Sequence, residues 1–182
     1  MKRNKIDLAI KAATGILLVA LGFVIVNSMQ EHVVSVGDSA PNFTIKTTSG
    51  TEISPRNFGG KLLVLNFWAS WCGPCVQEMP SLVEFQKMFA SQGVVVLGIN
   101  VDRKEELYRN MAKKFQVGFQ TAWDPQENVN YRYGTVKFPE SYIINADGKV
   151  LQKYAGLPVV NGSEEWRPWT DPEIVKYIRS LL

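Results

Sequence analysis

A nearly unbroken apolar run, KLLVLNFWA at residues 61–69, ends just before the only two cysteines of the chain, Cys72 and Cys75. A strand that is apolar at successive positions is covered on both faces, which is typical of the central strands of an α/β sheet. The run VVVLGINV at residues 94–101 has the same pattern, and helical apolar spacing from Cys72 to Phe89 lies between the two runs. This order predicts a parallel βαβ unit.

The residues around this unit extend it into one α/β domain. The further expected elements are a hairpin at residues 43–45 and 51–53, a helix at 103–115, strands at 119–123, 142–144 and 150–154, and a C-terminal helix. Thr170 to Glu173 has the sequence of a capping box that opens this last helix. Its predicted buried face comprises Ile174, Tyr177, Ile178 and Leu181.

The first 29 residues differ from the rest in charge and hydropathy. Residues 1–11 hold four basic residues and one acidic residue, which gives +3, whereas the remaining chain has 16 of each kind and is neutral. Residues 12–26 contain no charged side chain. A basic flank before such a run predicts that the N-terminus stays in the cytoplasm and that everything after the run is exported.

Two interpretations of this region remain open. It is either an uncleaved membrane anchor or a signal peptide that is cut near Val26-Asn27-Ser28, which would release the domain outside the cytoplasm. We therefore divide the chain into a cytoplasmic flank (1–11), an anchor or signal sequence (12–29), a tether (30–35) and a folded domain (36–182).

Composition excludes several classes of site. The neutral body offers no basic surface for nucleic acid. Two cysteines and one histidine, His32, cannot build a four-ligand structural zinc site unaided, and a c-type haem site would need histidine where Val76 stands. A purely structural disulfide would close too short a loop to add much stability. We expect no cofactor other than a redox-active Cys72–Cys75 disulfide.

The spacing of the two cysteines indicates different roles for them. Cys72 falls at the start of the predicted helix, where unpaired N–H groups and the helix dipole favour its thiolate. The thiolate is the attacking species, so Cys72 is the candidate nucleophile. Cys75 lies one turn further on, where we expect it to be shielded and to attack the mixed disulfide in a second step.

These residues resemble a known family. NFWASWCGPC at residues 66–75, followed by Glu78-Met79-Pro80, resembles the thioredoxin superfamily, and most closely the exported TlpA/ResA/DsbE-type thiol-disulfide oxidoreductases. Ala40-Pro41-Asn42-Phe43 and FPESYII at residues 138–144 extend the resemblance, which covers the chain from about residue 36 to its end.

The resemblance implies a thioredoxin-like fold, with a central mixed sheet flanked by helices and preceded here by one N-terminal transmembrane helix. Relatives of this type are tethered to membranes outside the cytoplasm and mostly reduce disulfides, commonly those of apocytochrome c. The partners that it implies are disulfide-containing exported proteins, a membrane thiol donor, and lipid around the N-terminal helix.

The resemblance also implies the residues around the dithiol. Pro139 is expected to be a cis-proline that faces the cysteines, with the backbone of Phe138 left to pair with an extended substrate. Trp71, Gly73 and Pro74 complete the expected substrate-binding surface.

The proton carrier is a separate question. Thioredoxins have a buried aspartate six residues before the first cysteine, and this chain has Asn66 there. An amide cannot take a proton from Cys75, so Glu78, three residues after Cys75 on the same helix, is the candidate base. The alternative for Glu78 is a solvated carboxylate. Trp166-Arg167-Pro168-Trp169 is interpreted as core or lid packing rather than as a docking surface.

Three functions fit this scaffold. The first is a reductase for disulfides of exported proteins, and the second is a disulfide oxidase or isomerase. The third is a peroxiredoxin-like peroxidase, which shares the fold and the Ala40–Phe43 segment. That family has threonine three residues before its reactive cysteine, and Ala69 occupies the position here.

Overall fold

The computed structural model describes Lys11 and residues 13–24, 33–159 and 166–182. The chain divides into two compact units, Met1–His32 and Val33–Leu182. In the first unit, residues 13–24 are helical and their side chains are exposed. No helix among the described residues is both long and apolar enough to cross a membrane. The basic flank up to residue 10, the predicted cleavage site and His32 lie outside the described residues.

A five-stranded mixed sheet forms the centre of the second unit, with strand order β5-β4-β3-β6-β7. The strands β3, β4 and β5 are parallel, while β6 pairs antiparallel with both β3 and β7. A separate two-stranded hairpin, β1–β2, precedes it. The strands are β1 (Ile45–Lys46), β2 (Glu52–Ile53), β3 (Leu62–Trp68), β4 (Val94–Asn100), β5 (Gln120–Trp123), β6 (Glu140–Asn145) and β7 (Val150–Ala155).

Four α-helices are described in this unit: α1 (Gly73–Phe89), α2 (Glu105–Lys114), α3 (Asn128–Tyr133) and α4 (Pro172–Ser180). A 3₁₀ turn, Ala90–Gln92, and Gly93 with a φ of +88° end α1 and lead into β4. The predicted mixed sheet with helices on its faces is therefore confirmed.

Strand β3 separates two cores, because its side chains alternate between the faces of the sheet. Val64 and Trp68 pack with the buried residues of α1 and α4, whereas Leu65 and Phe67 pack with α3 and the hairpin. All seven residues of β3 are buried, as the apolar run predicts. This burial holds β3 rigidly, so the residues that follow it have a fixed position.

The structure differs from the sequence-based elements in two places, and on the last helix Tyr177 and Leu181 of the predicted buried face are only half-buried. The last helix does not begin with a Thr170 capping box: Asp171 is its N-cap and accepts from the Glu173 N–H at 2.9 Å, with Pro172 as the first helical residue. Helix α3 was not expected; the Asp124 carboxylate accepts from the N–H groups of Asn128 and Val129 and starts it.

The segment assigned to the tether contributes to the second core. Val34 is fully buried, and its backbone N–H donates to Tyr133 O at 3.2 Å. The Lys153 ammonium group donates to Val34 O at 3.0 Å. The ordered packing of the second unit therefore includes Val34.

Candidate active site

The turn after β3 brings the two cysteines to the start of α1. Cys72 is the N-cap, with the extended backbone (φ −88°, ψ 105°) that a helix cap adopts, and its Sγ accepts from the Cys75 N–H at 3.2 Å. The two residues are joined as a disulfide, with an S–S distance of 2.06 Å. The prediction that Cys72 sits at the helix start is confirmed.

The two sulfur-bearing residues differ in access to solvent. Cys72 is 5% exposed and Cys75 is fully buried, while Gly73 and Pro74 between them are exposed. The expected order of exposure is therefore confirmed. A partner arriving from solvent meets Cys72 first, and Cys75 is reached only through its neighbour.

Trp71, the residue before Cys72, forms an aromatic pair with Phe138 at the surface. Trp71 is 65% exposed, and its ring meets the half-buried ring of Phe138 edge to face, with centroids 5.6 Å apart. The Phe138–Pro139 peptide bond is cis, as the resemblance implies, and Pro139 is buried. Phe138 therefore packs against Trp71, the residue next to Cys72.

Glu78 is fully buried, so the alternative of a solvated carboxylate is wrong. Asn66 Nδ2 donates to its Oε1 at 2.8 Å, and Trp169 Nε1 donates to its Oε2 at 3.0 Å. Asn66 Nδ2 also donates to Ser141 Oγ, its cross-strand neighbour on β6, at 2.9 Å. Each carboxylate oxygen therefore has one fixed, uncharged donor.

Burial raises the pKa of the Glu78 carboxyl group from 4.5 to about 7, although the hydrogen bonds from Trp169 and Asn66 favour the charged form. Loss of hydration penalises the ion more than two neutral donors compensate. A group with this pKa exchanges protons readily near neutral pH, which suits general acid–base chemistry. Glu78 lies one helical turn after Cys75.

A second buried carboxylate fixes the turn that precedes Cys72. Asp102, fully buried after β4, accepts from the Ser70 N–H at 3.0 Å and from Ser70 Oγ at 2.9 Å. Asn100 Nδ2 donates to it at 2.8 Å. These bonds hold the backbone that carries Trp71 toward the disulfide.

Sequence reasoning missed Trp169, Ser141 and Asp102 as contributors to the site. Asp102 had a usable signal, because it follows a buried parallel strand at the edge where functional residues collect. Trp169 had none, since it is 91 residues from Glu78. The predicted core packing of Trp169 is confirmed by its complete burial. Within the described ranges, no group of three or more His, Cys, Asp or Glu could hold a metal ion.

A mixed sheet, a cysteine pair at a helix start and a cis-proline together define a thioredoxin-like dithiol protein. The chain belongs to the AhpC/TSA family, whose model matches residues 36–153. It is 31% identical over 168 residues to the thiol-disulfide oxidoreductase ResA of Bacillus thuringiensis subsp. konkukian, covering 91% of this chain and 96% of that protein. The ResA of Bacillus subtilis is 36% identical over 148 residues, covering 79% and 83%.

Solved structures agree with this assignment. A crystal structure assigned to the thiol:disulfide interchange protein DsbE of Chlorobium tepidum superimposes with a TM-score of 0.69 at 28% identity, covering 81% of this chain and 98% of that one. StoA from Bacillus subtilis gives a TM-score of 0.58 at 26% identity, covering 64% and 89%. The chain is a thiol-disulfide oxidoreductase, and Cys72 and Cys75 are its cysteine pair.

Proposed function

We propose that this oxidoreductase works as a reductase for disulfides of exported proteins, outside the cytoplasm, and that its N-terminal segment holds it at the membrane. The single observation that carries the exchange mechanism is the placement of the disulfide at the start of α1, with Cys72 more accessible than the fully buried Cys75; the direction, reduction, comes from the sequence resemblance. Apocytochrome c is the first substrate to test, because the sequence resemblance implies it.

The chemistry proceeds in two displacements. The Cys72 thiolate attacks one sulfur of the substrate disulfide; a mixed disulfide forms, and the first substrate sulfur leaves and takes up a proton. Cys75 then loses its proton and attacks Cys72 Sγ. The Cys72–Cys75 bond forms, the mixed disulfide breaks, and the second substrate sulfur leaves and is protonated. Two electrons and two protons pass to the substrate in total.

Glu78 is the proposed acceptor of the Cys75 proton in the second step. It lies on the same helix, and its pKa of about 7 lets it hold or release a proton at neutral pH. The proposed substrate surface comprises Trp71 and Phe138, which contact each other, together with Gly73, Pro74 and Pro139.

Turnover also requires a donor. Each cycle leaves Cys72 and Cys75 oxidised, so two electrons must return from another dithiol. We propose a membrane thiol donor, because a membrane-held enzyme outside the cytoplasm is separated from the reductants of the cell interior. The support for this placement is the basic flank followed by the uncharged residues 12–26.

The test of the reaction is a trapping experiment in intact cells. A Cys75→Ser chain should accumulate mixed disulfides between Cys72 and exported proteins, identified by mass spectrometry, while a Cys72→Ser/Cys75→Ser chain should trap none. Captured partners that are all cytoplasmic would contradict the proposal. A reduction potential measured against glutathione separates a reductase from an oxidase: a potential above that of glutathione would favour the oxidase.

Placement is tested separately. A thiol reagent that cannot cross membranes should label reduced Cys72 in intact cells or spheroplasts, with a cytoplasmic thiol protein as the negative control. Labelling only after lysis would place the domain inside the cell. The peroxidase alternative has less support, because fully buried Ala69 offers no hydroxyl group where that family has threonine.

A further inference from the structure

The buried carboxylate of Glu78 has two partners of different chemical character. The side-chain amide of Asn66 carries both donor and acceptor atoms, so an amide at this position can serve either protonation state of a carboxyl group. The indole of Trp169 has one N–H and no acceptor. Its hydrogen bond to Oε2 therefore stabilises the carboxylate more than the neutral acid.

Trp169 is held against α1 by its backbone as well as by its ring. Its N–H donates to Ser81 Oγ at 3.2 Å, and Ser81 Oγ donates to the backbone oxygen of Glu78 at 2.8 Å. The ring packs against Phe85 of α1 and Tyr154 of β7, with centroids 5.4 and 5.7 Å away. The indole position is thus fixed from three sides.

We propose that Trp169 is a positioning residue for thiol exchange, whose indole N–H fixes Glu78 Oε2 and so makes the C-terminal segment at residues 166–171 part of the proton-transfer machinery. The proposal rests on thiol-disulfide exchange at Cys72 and Cys75 and adds a residue to that same site. The segment is joined to α4, because Asp171 within it is the N-cap of that helix.

Few titratable groups lie around Glu78, so a pH titration of this cluster reports mainly on its carboxyl group. The donors to its carboxylate come from β3 and from the C-terminal segment and are uncharged, and Ser141 on β6 is neutral. On α1 the neighbouring titratable group is Cys75, which does not titrate while it is in the disulfide. The Trp169 ring also contacts Tyr154 of β7, whose pKa is raised by burial. Near pH 7 in the oxidised protein, Glu78 is the group in this cluster that changes charge.

The first measurement uses the full, unmodified chain. With ¹⁵N-labelled tryptophan, the indole N–H resonance of Trp169 in the oxidised protein should move with a midpoint near pH 7, and this movement should vanish in Glu78→Gln. The resonance is assigned in the unmodified protein by nuclear Overhauser contacts from the indole to the rings of Phe85 and Tyr154, against which it packs. The internal reference is Trp166, whose indole nitrogen has no hydrogen-bond partner among the described residues. An indole signal of Trp169 that ignores pH between 5 and 9, or follows it equally in Glu78→Gln, would overturn the proposal.

The second measurement asks what the hydrogen bond does. Trp169→Phe keeps an aromatic ring and removes the donor, so the Glu78 pKa, followed by ¹³C carboxyl resonances in the oxidised protein, should rise by about one pH unit. Because a pKa one unit higher leaves about one fifth as much of Glu78 ionised at pH 7, the release step should slow about fivefold at that pH and recover at higher pH.

Trp166→Phe is the matched control, since it makes the same replacement three residues earlier and should move neither value. A folded Trp169→Phe chain with an unchanged Glu78 pKa would refute the positioning role. If that chain does not fold, the indole resonance measurement on the unmodified protein and Glu78→Gln tests the proposal instead. The proposed reductase function would fail differently, through absent exchange in the unmodified protein, while both resonance measurements remain interpretable.

Discussion

The side-chain amide of Asn66 donates to Glu78 Oε1 across 2.8 Å, and both residues are fully buried. Asn66 occupies the strand position where thioredoxins have an aspartate, so the buried acid of this site lies on the dithiol helix instead of on the strand. The acid and Cys75 therefore share one rigid element, α1, and any movement of that helix carries both.

Glu78→Gln should change the thiol titration and the second step of exchange. The ionised carboxylate disfavours a nearby thiolate, so its removal should lower the apparent thiol pKa values of the reduced protein, which belong to the coupled group. Loss of the base should slow release by up to about 100-fold, and more than it slows attack. Thiolate ultraviolet absorbance and rapid-mixing kinetics measure the two effects. Glu84→Gln, an exposed change on the same helix, is the control. Unchanged titration and rates would mean that the proton leaves by another path.

The same carboxyl group should make stability depend on pH. Its pKa is about 7 in the folded protein and 4.5 when it is not buried, so between these values the folded state binds more protons than the unfolded state. Stability therefore falls as pH rises through this range, by about 3 kcal/mol from this group alone. Urea unfolding of the oxidised proteins should show that wild type loses about 3 kcal/mol relative to Glu78→Gln between about pH 4.5 and 7. Below about pH 4.5 this relative loss should be absent. Parallel profiles for the two proteins would contradict the prediction.

Substitution of Cys72 and substitution of Cys75 should impair thiol exchange at different steps. Cys72→Ser removes the proposed nucleophile, the more accessible of the two cysteines, and should abolish exchange with a model disulfide substrate. Cys75→Ser should leave the first attack intact and accumulate the mixed disulfide, which non-reducing electrophoresis detects. If the Cys72→Ser chain is the one that traps substrate, the roles are reversed.

Asp102→Ala should destabilise the turn before Cys72. It leaves the Ser70 N–H, the Ser70 hydroxyl group and the Asn100 amide without their acceptor in a buried site. We expect a loss of about 2–4 kcal/mol in the free energy of unfolding. Glu84→Ala, whose partner Lys87 is exposed, should stay within about 0.5 kcal/mol. A small effect of Asp102→Ala would show that the turn is held by packing alone.

The fold was predictable where the pattern of burial is continuous. The apolar runs at residues 61–69 and 94–101 predict strands covered on both faces, and β3 and β4 begin and end within one or two residues of them. Helix α3 has six residues, follows Glu127 in the left-handed region (φ 58°) and is started by a side chain four residues before it. A helix this short has too few residues to show a helical pattern of apolar side chains, so the sequence pattern did not predict it.

The site was predictable only in part, for a physical reason. The placement of Cys72 at the start of α1 and of Cys75 one turn further on follows from helix geometry, which is local. The environment of Glu78 depends on Asn66 and Trp169, which are 12 and 91 residues away, and no local pattern states that these side chains meet. Spacing alone therefore left open whether Glu78 was solvated or buried.

The burial of Val34 has a practical consequence for anyone who wishes to prepare the second unit by itself. A chain trimmed to residue 36, where the family match begins, would discard a fully buried side chain and remove the acceptor for the Lys153 ammonium group. The Tyr133 carbonyl would lose its backbone donor as well. A shortened chain intended for crystallisation should therefore start no later than Val33.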